Sequence, residues 1–178
     1  MNSIVTQIAE DFIKNVVKSL TEGKNFAKIE KEAYELVSKC AAELTSAYLE
    51  YLDAAIETDK AARREAGYCI ERRGDERKLL TKFGEVAYSR TYYKCAAGGY
   101  EYLVDTAMGI ESRMRVSEGV CMSLSEAAKD MSYAKAARYA ANGAVSRQTV
   151  MGNVRRSNTV LDEINELRNI PELHIDAD

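Results

Sequence analysis

The chain has no tryptophan, one proline and one histidine in 178 residues. A single proline and only ten glycines exclude collagen-like, linker-like and low-complexity character. No apolar run approaches the roughly 18–20 residues that a membrane span needs, so no membrane partner is expected. The first residues, MNSIVTQIAEDFIKNVV, carry acids where an export signal needs positive charge. A cytoplasmic location is therefore the expectation. The four cysteines (Cys40, Cys69, Cys95, Cys121) contain no CxxC, and with His174 as the sole histidine there is no Cys/His pair at metal spacing. A zinc site would need thiolates from four distant segments. The plainer reading is four reduced, mostly buried thiols.

What is present is charge, and its distribution matters more than its sum. The net charge is −3, which argues against a protein that simply coats nucleic acid. By segment it is −2 over 1–64 (9 bases, 11 acids), −1 over 65–111 (7 and 8) and 0 over 112–178 (9 and 9). Within the last segment, Met131 to Leu161 holds five bases (Lys135, Arg138, Arg147, Arg155, Arg156) and no acid. A merely solvated helix usually mixes its charges, as residues 26–64 do.

Residues 3–64 read as helical. Val5, Ile8, Ala9, Phe12, Ile13, Val16 and Leu20 recur at spacings of three and four. Gly23 and Asn25 punctuate the pattern. A longer stripe then runs from Phe26 through Ile29, Ala33, Leu36, Val37, Cys40, Leu44, Ala47, Tyr48, Tyr51, Leu52 and Ala55. One helix over 26–64 would be roughly 55–60 Å long and must pack on the first helix or on a second copy of the chain.

Six of the ten glycines and six of the eleven tyrosines fall between 67 and 109. The texture there is β. YCIERR, a Gly74-Asp75 turn, ERKLLTKF, a turn at Gly84, EVAYSRTYYKC and then YEYLV predict three or four antiparallel strands. Arg90, Tyr92 and Lys94 alternate onto one strand face behind Val86 and Tyr88. That makes the ribbon a second candidate for DNA contact, against the plain alternative of a solvated sheet face.

Helical texture returns after Ser112, with a helix near Ser117-Glu118. Ser132 is the expected N-cap of an Ala-rich helix ending near Ala141. Asn142-Gly143 marks a turn, and Ser146 caps a second helix bearing Val150, Val154, Ile164 and Leu167. Two short helices about a glycine turn, the second opening Ser-Arg-Gln-Thr-Val, make the helix-turn-helix pattern, with a turn one residue longer than the tight form. Ser146, Arg147, Gln148 and Thr149 would meet base edges at the amino end of the second helix. Arg suits guanine and Gln suits adenine. The alternative is a structural hairpin with incidental bases. Pro171 stops the helix, and in LHIDAD the acids Asp176 and Asp178 would project from one face of a strand. A strand delivering a carboxylate to Mg²⁺ begins the RNase-H-like nucleotidyl-transfer fold, although paired acids are otherwise commonplace.

Taken in order, ERKLLTKFGEVAYSRTYY, YEYLVDTAMGI, AAKDMSYAKAARYAANGAVSRQTV and LHIDAD resemble the amino-terminal half of the Lre-type insertion-sequence transposases. That family is related to Mutator-like enzymes with an Asp-Asp-Glu site. The resemblance covers about 70–178. Its most specific parts are R-x-L-x-T-x-F-G-E-V from Arg77 to Val86, then Arg90 and Tyr93, and the Ser132-Tyr133 and Ser146-x-x-Thr149-Val150 pair. It implies a longer enzyme with Mg²⁺-dependent chemistry, Asp178 being the first catalytic and metal-binding carboxylate and the other acids lying downstream. For this chain alone it implies no cofactor and an incomplete site, because a two-metal centre needs carboxylates from several elements.

The reading is an α+β, mostly helical chain: a dimerising helical hairpin (1–64), an antiparallel β ribbon (65–111), a helix-turn-helix bundle (112–170) and the first strand of a catalytic domain (171–178). The expected partners are double-stranded DNA at terminal inverted repeats and further copies of the chain, as a homo-oligomer. The DNA-contact candidates are Lys135, Arg138, Ser146, Arg147, Gln148, Thr149, Arg155 and Arg156, with Arg90 and Lys94 on the ribbon. The rival classes are a stand-alone DNA-binding regulator or transposase relic, and a long-helix interaction module without a DNA role.

Overall fold

A computed structural model describes residues 2–22 and 25–156. The fold is mostly helical with one small antiparallel sheet, the α+β class expected. The described residues divide into two compact units, one up to Ser117 and one from Glu118.

In the first unit, α1 (Asn2–Thr21) and α2 (Phe26–Thr58) form a hairpin. Asn25 caps α2, its side chain accepting from the Lys28 N–H at 3.0 Å. The two helices run antiparallel: Ser19 Oγ donates to Glu32 at 2.6 Å, while Phe12 borders the same surface hollow as Cys40 and Glu43. The single helix expected over 26–64 is broken at Asp59. There the chain leaves helical geometry, and the Asp59 carboxylate caps α3 (Lys60–Glu65) by accepting from Ala62 N at 3.0 Å. Arg63 then reaches back to the Ile56 and Glu57 carbonyls at 3.1 and 2.9 Å. An aspartate that competes for backbone N–H groups, plus an arginine that satisfies the orphaned carbonyls, makes the break stable.

The sheet has the order β1-β2-β3 (Tyr68–Thr81, Gly84–Cys95, Tyr100–Glu101). Two features differ from expectation. Gly74-Asp75 is not a hairpin turn: β1 runs straight through it, with register shifts between Ile70 and Asp75 against β2. Gly74 has φ +77, the left-handed geometry of a bulge that glycine adopts without steric cost. A tight turn joins Thr81 to Gly84, where Thr81 Oγ1 accepts from Phe83 N, and a second at Gly98-Gly99 leads from β2 into β3. The segment YEYLV gives only a two-residue strand before α4 (Leu103–Ala107) begins. Across from the bulge, burial on β2 switches from Val86 and Tyr88 to Thr91 and Tyr93.

Helix α2 lies along the outer edge of β2 and satisfies its backbone. Ser46 Oγ donates to Ala87 O, Glu50 accepts from Ser89 N, and Asp53 accepts from Thr91 N. Residues 46, 50 and 53 share one helix face, so one helix closes an edge that would otherwise template further strands. Leu49 from the same face packs with Val86, Tyr88 and Val104 in the core, supported by Leu52, Ile56 and Ile110.

The second unit contains α5 (Glu118–Asp130), α6 (Tyr133–Ala141) and a helix α7 that is described over 147–156. Its buried apolar residues are Val120, Leu124, Ala127, Ala136, Ala137 and Val150. Pro171, Asp176, Asp178 and the strand expected at 171–178 lie outside the described residues. The four cysteines are free. Cys69 is exposed and the other three are half-buried.

Candidate nucleic-acid interface

The turn between α6 and α7 is built by its own residues. Asn142 takes the left-handed conformation at φ 48, and Gly143 follows at φ +77. The N–H groups of both donate to Ala137 O, which closes the end of α6. Ser146 opens α7: its Oγ accepts from the Thr149 N–H at 3.1 Å and lies 3.0 Å from Thr149 Oγ1. Ser132 occupies the N-cap position of α6 in extended geometry, but its side chain makes no capping bond. Ala136 and Ala137 are fully or nearly buried, as small side chains at a close helix crossing should be.

Helix α7 is anchored from its inner side. Val150 is fully buried. Asn153, in a position that an apolar stripe would give to a hydrophobe, donates to Cys121 O at 2.6 Å and to Ser125 Oγ at 2.8 Å. These bonds fix the rotation of α7 about its axis against α5. The outer side then carries the expected set: Ser146, Arg147, Gln148, Thr149, Arg155 and Arg156 are exposed, as are Lys135 and Arg138 on α6. Arg156 also reaches Cys121 Sγ at 3.8 Å. Tyr139, 78% exposed beside Arg138, is a ring that periodicity and charge did not single out; its place next to a base in an acid-free segment was the available signal.

The two ribbon candidates part company. Lys94 is exposed. Arg90 turns inward, its side chain only 11% exposed, and pairs with the buried Asp105. Asp105 also accepts from Arg77 Nη1 at 2.7 Å and from the Tyr88 hydroxyl at 2.6 Å. The second Arg77 nitrogen is spent on the Glu111 and Met114 carbonyls. Burial, and then the Asp105 carboxylate, push the Tyr88 phenol well above its ordinary range. From Arg90 the contacts run outward. Its guanidinium stacks 3.5 Å from the Tyr102 ring centroid, and Tyr102 donates to Asp75. Asp75 holds Arg72, and Arg72 covers Tyr92 at 4.2 Å. The Tyr102 hydroxyl, then Arg72, hold the Asp75 carboxyl below its usual range. This arrangement ties α4 to the ribbon. Sequence alternation missed it because Asp105 follows YEYLV, which reads as a strand, whereas the chain there turns into α4.

Among the described residues, no three His, Cys, Asp or Glu side chains are grouped to hold a metal ion. Nor is any helix there long and apolar enough to cross a membrane.

Fold and surface together define a class: an α+β amino-terminal unit followed in sequence by a helical unit whose last described helix presents a polar, basic outer side. The chain belongs to the uncharacterised protein family UPF0236, whose family model matches residues 19–178. Three UPF0236 proteins of Caldanaerobacter subterraneus subsp. tengcongensis are similar to it. One is 36% identical over 174 residues, 96% of this chain and 35% of its own length. A second is 35% identical over 185 residues, covering 100% and 39%. A third is 35% identical over 182 residues, covering 98% and 38%. The chain thus spans little more than a third of these relatives. No solved structure matches.

Proposed function

We propose that this chain is the amino-terminal, DNA-binding part of a DNA transposase and grips the element's terminal inverted repeats through α6 and α7. The observation that carries the reading is the outer side of α7. Ser146 to Thr149 stand exposed at its amino end, within a segment of five exposed bases and no acid. Hydrogen-bonding side chains there can read base edges in a major groove, while Arg155 and Arg156 supply phosphate contacts. The relatives' names lend support. One joins eleven labels and another four, as a sequence present in several copies of one genome would, and copying is what a mobile element does. In the complete enzyme Asp178 would be one carboxylate of a Mg²⁺ site, the others coming from the length of the relatives that this chain does not span. One carboxylate does not fit such a site, so no catalytic step is assigned to this chain.

The test is fluorescence anisotropy with a terminal-repeat duplex and a scrambled duplex across a salt series. Log K should fall steeply with log salt. Arg147→Ala and Gln148→Ala should narrow the gap between the two duplexes, each by about 1–3 kcal/mol of discrimination. A flat salt response, or no binding at low salt, would overturn the reading.

A further inference from the structure

Helix α2 turns one side to the core and another toward α1, and leaves a further apolar side open. Leu49, Leu52 and Ile56 face the core. On the further side, Phe26, Glu30, Ala33, Val37, Cys40, Leu44, Ala47, Tyr51 and Ala54 alternate at spacings of four and three. This is the 3.5-residue period of a coiled-coil seam. Most of it is open, with Cys40 and Ala47 half-buried at its margin: Phe26 is 79% exposed, Val37 55%, Leu44 37% and Tyr51 47%, with Tyr34 (67%) and Tyr48 (49%) beside them. Side chains of this size leave on the order of 600 Å² uncovered on each copy, close to the roughly 800 Å² per partner of a standard interface.

We propose that α2 pairs with α2 of a second copy of this chain, antiparallel, about a two-fold axis near residue 42. Seam spacing calls for a helix of the same spacing, and this chain supplies one. Volume decides the direction. In the antiparallel order, Tyr51 meets Ala33, Val37 meets Ala47 and Leu44 meets Cys40, large against small throughout. Glu30, the single charge in the seam, then meets Ala54. A parallel pair would set Ala33 on Ala33, Tyr51 on Tyr51 and Glu30 on Glu30, leaving voids and a like-charge contact. The flanking Tyr34 and Tyr48 cover the antiparallel seam from one side, each facing the other of the partner. The interface is isologous, so it closes at two copies. This inference does not rest on the DNA reading.

Light scattering on the eluting 178-residue chain at micromolar concentration should give twice the chain mass. The double variant V37E/Y48E, altered only at exposed positions, should elute as a monomer with an unchanged helical circular dichroism spectrum. A second test fixes direction. With all four cysteines replaced by serine, Ala41→Cys should be joined in high yield by a short bis-maleimide. Phe26→Cys should not, because antiparallel copies hold those positions roughly 48 Å apart at 1.5 Å per residue. A monomeric parent chain overturns the proposal and would leave the face to another part of the longer relatives. A V37E/Y48E dimer overturns it as well. Stronger linkage at Phe26→Cys than at Ala41→Cys overturns the antiparallel order.

Discussion

Two buried carboxylates show how the same residue type can act in opposite ways. Asp105 stands between two arginines and a tyrosine hydroxyl. Removing it leaves Arg77 and Arg90 buried without their counter-charge. Asp105→Ala is therefore expected to cost about 3–5 kcal/mol in urea unfolding; a decrease below about 1 kcal/mol would show that the network is not needed. Asp53 faces no arginine in that way. It accepts from the Thr91 N–H and hydroxyl at 3.1 and 2.8 Å, and burial, the largest influence, raises its pKa above the ordinary 3.8. A raised folded pKa means that folding favours the protonated form. The stability this group contributes is complete below about pH 3.8 and is lost as pH rises through the raised value. Asp53→Asn keeps an acceptor for the N–H and gains a donor for the hydroxyl. It should fold within about 1 kcal/mol of the parent at neutral pH and lose the part of the acid-side pH dependence due to this group. Stability measured from pH 3 to pH 7 decides it.

At the scale of elements, the features that read correctly from sequence were those fixed by neighbours in the chain. Asn25 marks the break between α1 and α2, Ser146 caps α7, and Asn142-Gly143 makes the turn. The misreadings came where long-range pairing outweighed local preference. Gly74-Asp75 has the composition of a turn, yet pairing with β2 continues on both sides of it, so the extra residues become a bulge. The bulge carries its own prediction. A Cβ at Gly74 would meet only Ser89 Oγ, at 3.9 Å, so space is available and the cost is conformational. Gly74→Ala should destabilise by about 1–2 kcal/mol through its positive φ alone. If thermal unfolding is unchanged, the bulge is not held in that geometry.

For the whole molecule, the net charge of −3 describes no single region. The bases of α6 and α7 lie on the outside, whereas two of the ribbon's arginines, Arg77 and Arg90, are consumed inside by Asp105. The proposed DNA role then predicts which charges register in a salt series. Arg155→Ser together with Arg156→Ser should reduce the slope of log K against log salt by about two, one for each phosphate no longer neutralised. Arg73→Ser, on an arginine paired with Glu57, should leave the slope unchanged. Equal effects would mean that binding follows total charge and not the placement of α7.

By itself the sequence determined the class of fold, most of the helical segments, the Ser146 cap, the β texture between 67 and 109, and the acid-free segment that marks the candidate interface. These depend on spacing along the chain, which periodicity and capping chemistry report directly. Only the tertiary structure decided that α2 breaks at Asp59, that its single apolar stripe divides between buried sides and an open one, and that Arg90 serves the core. Those outcomes depend on which distant groups come within bonding reach. An arginine on an alternating strand looks the same in sequence whether water or a buried aspartate waits opposite it.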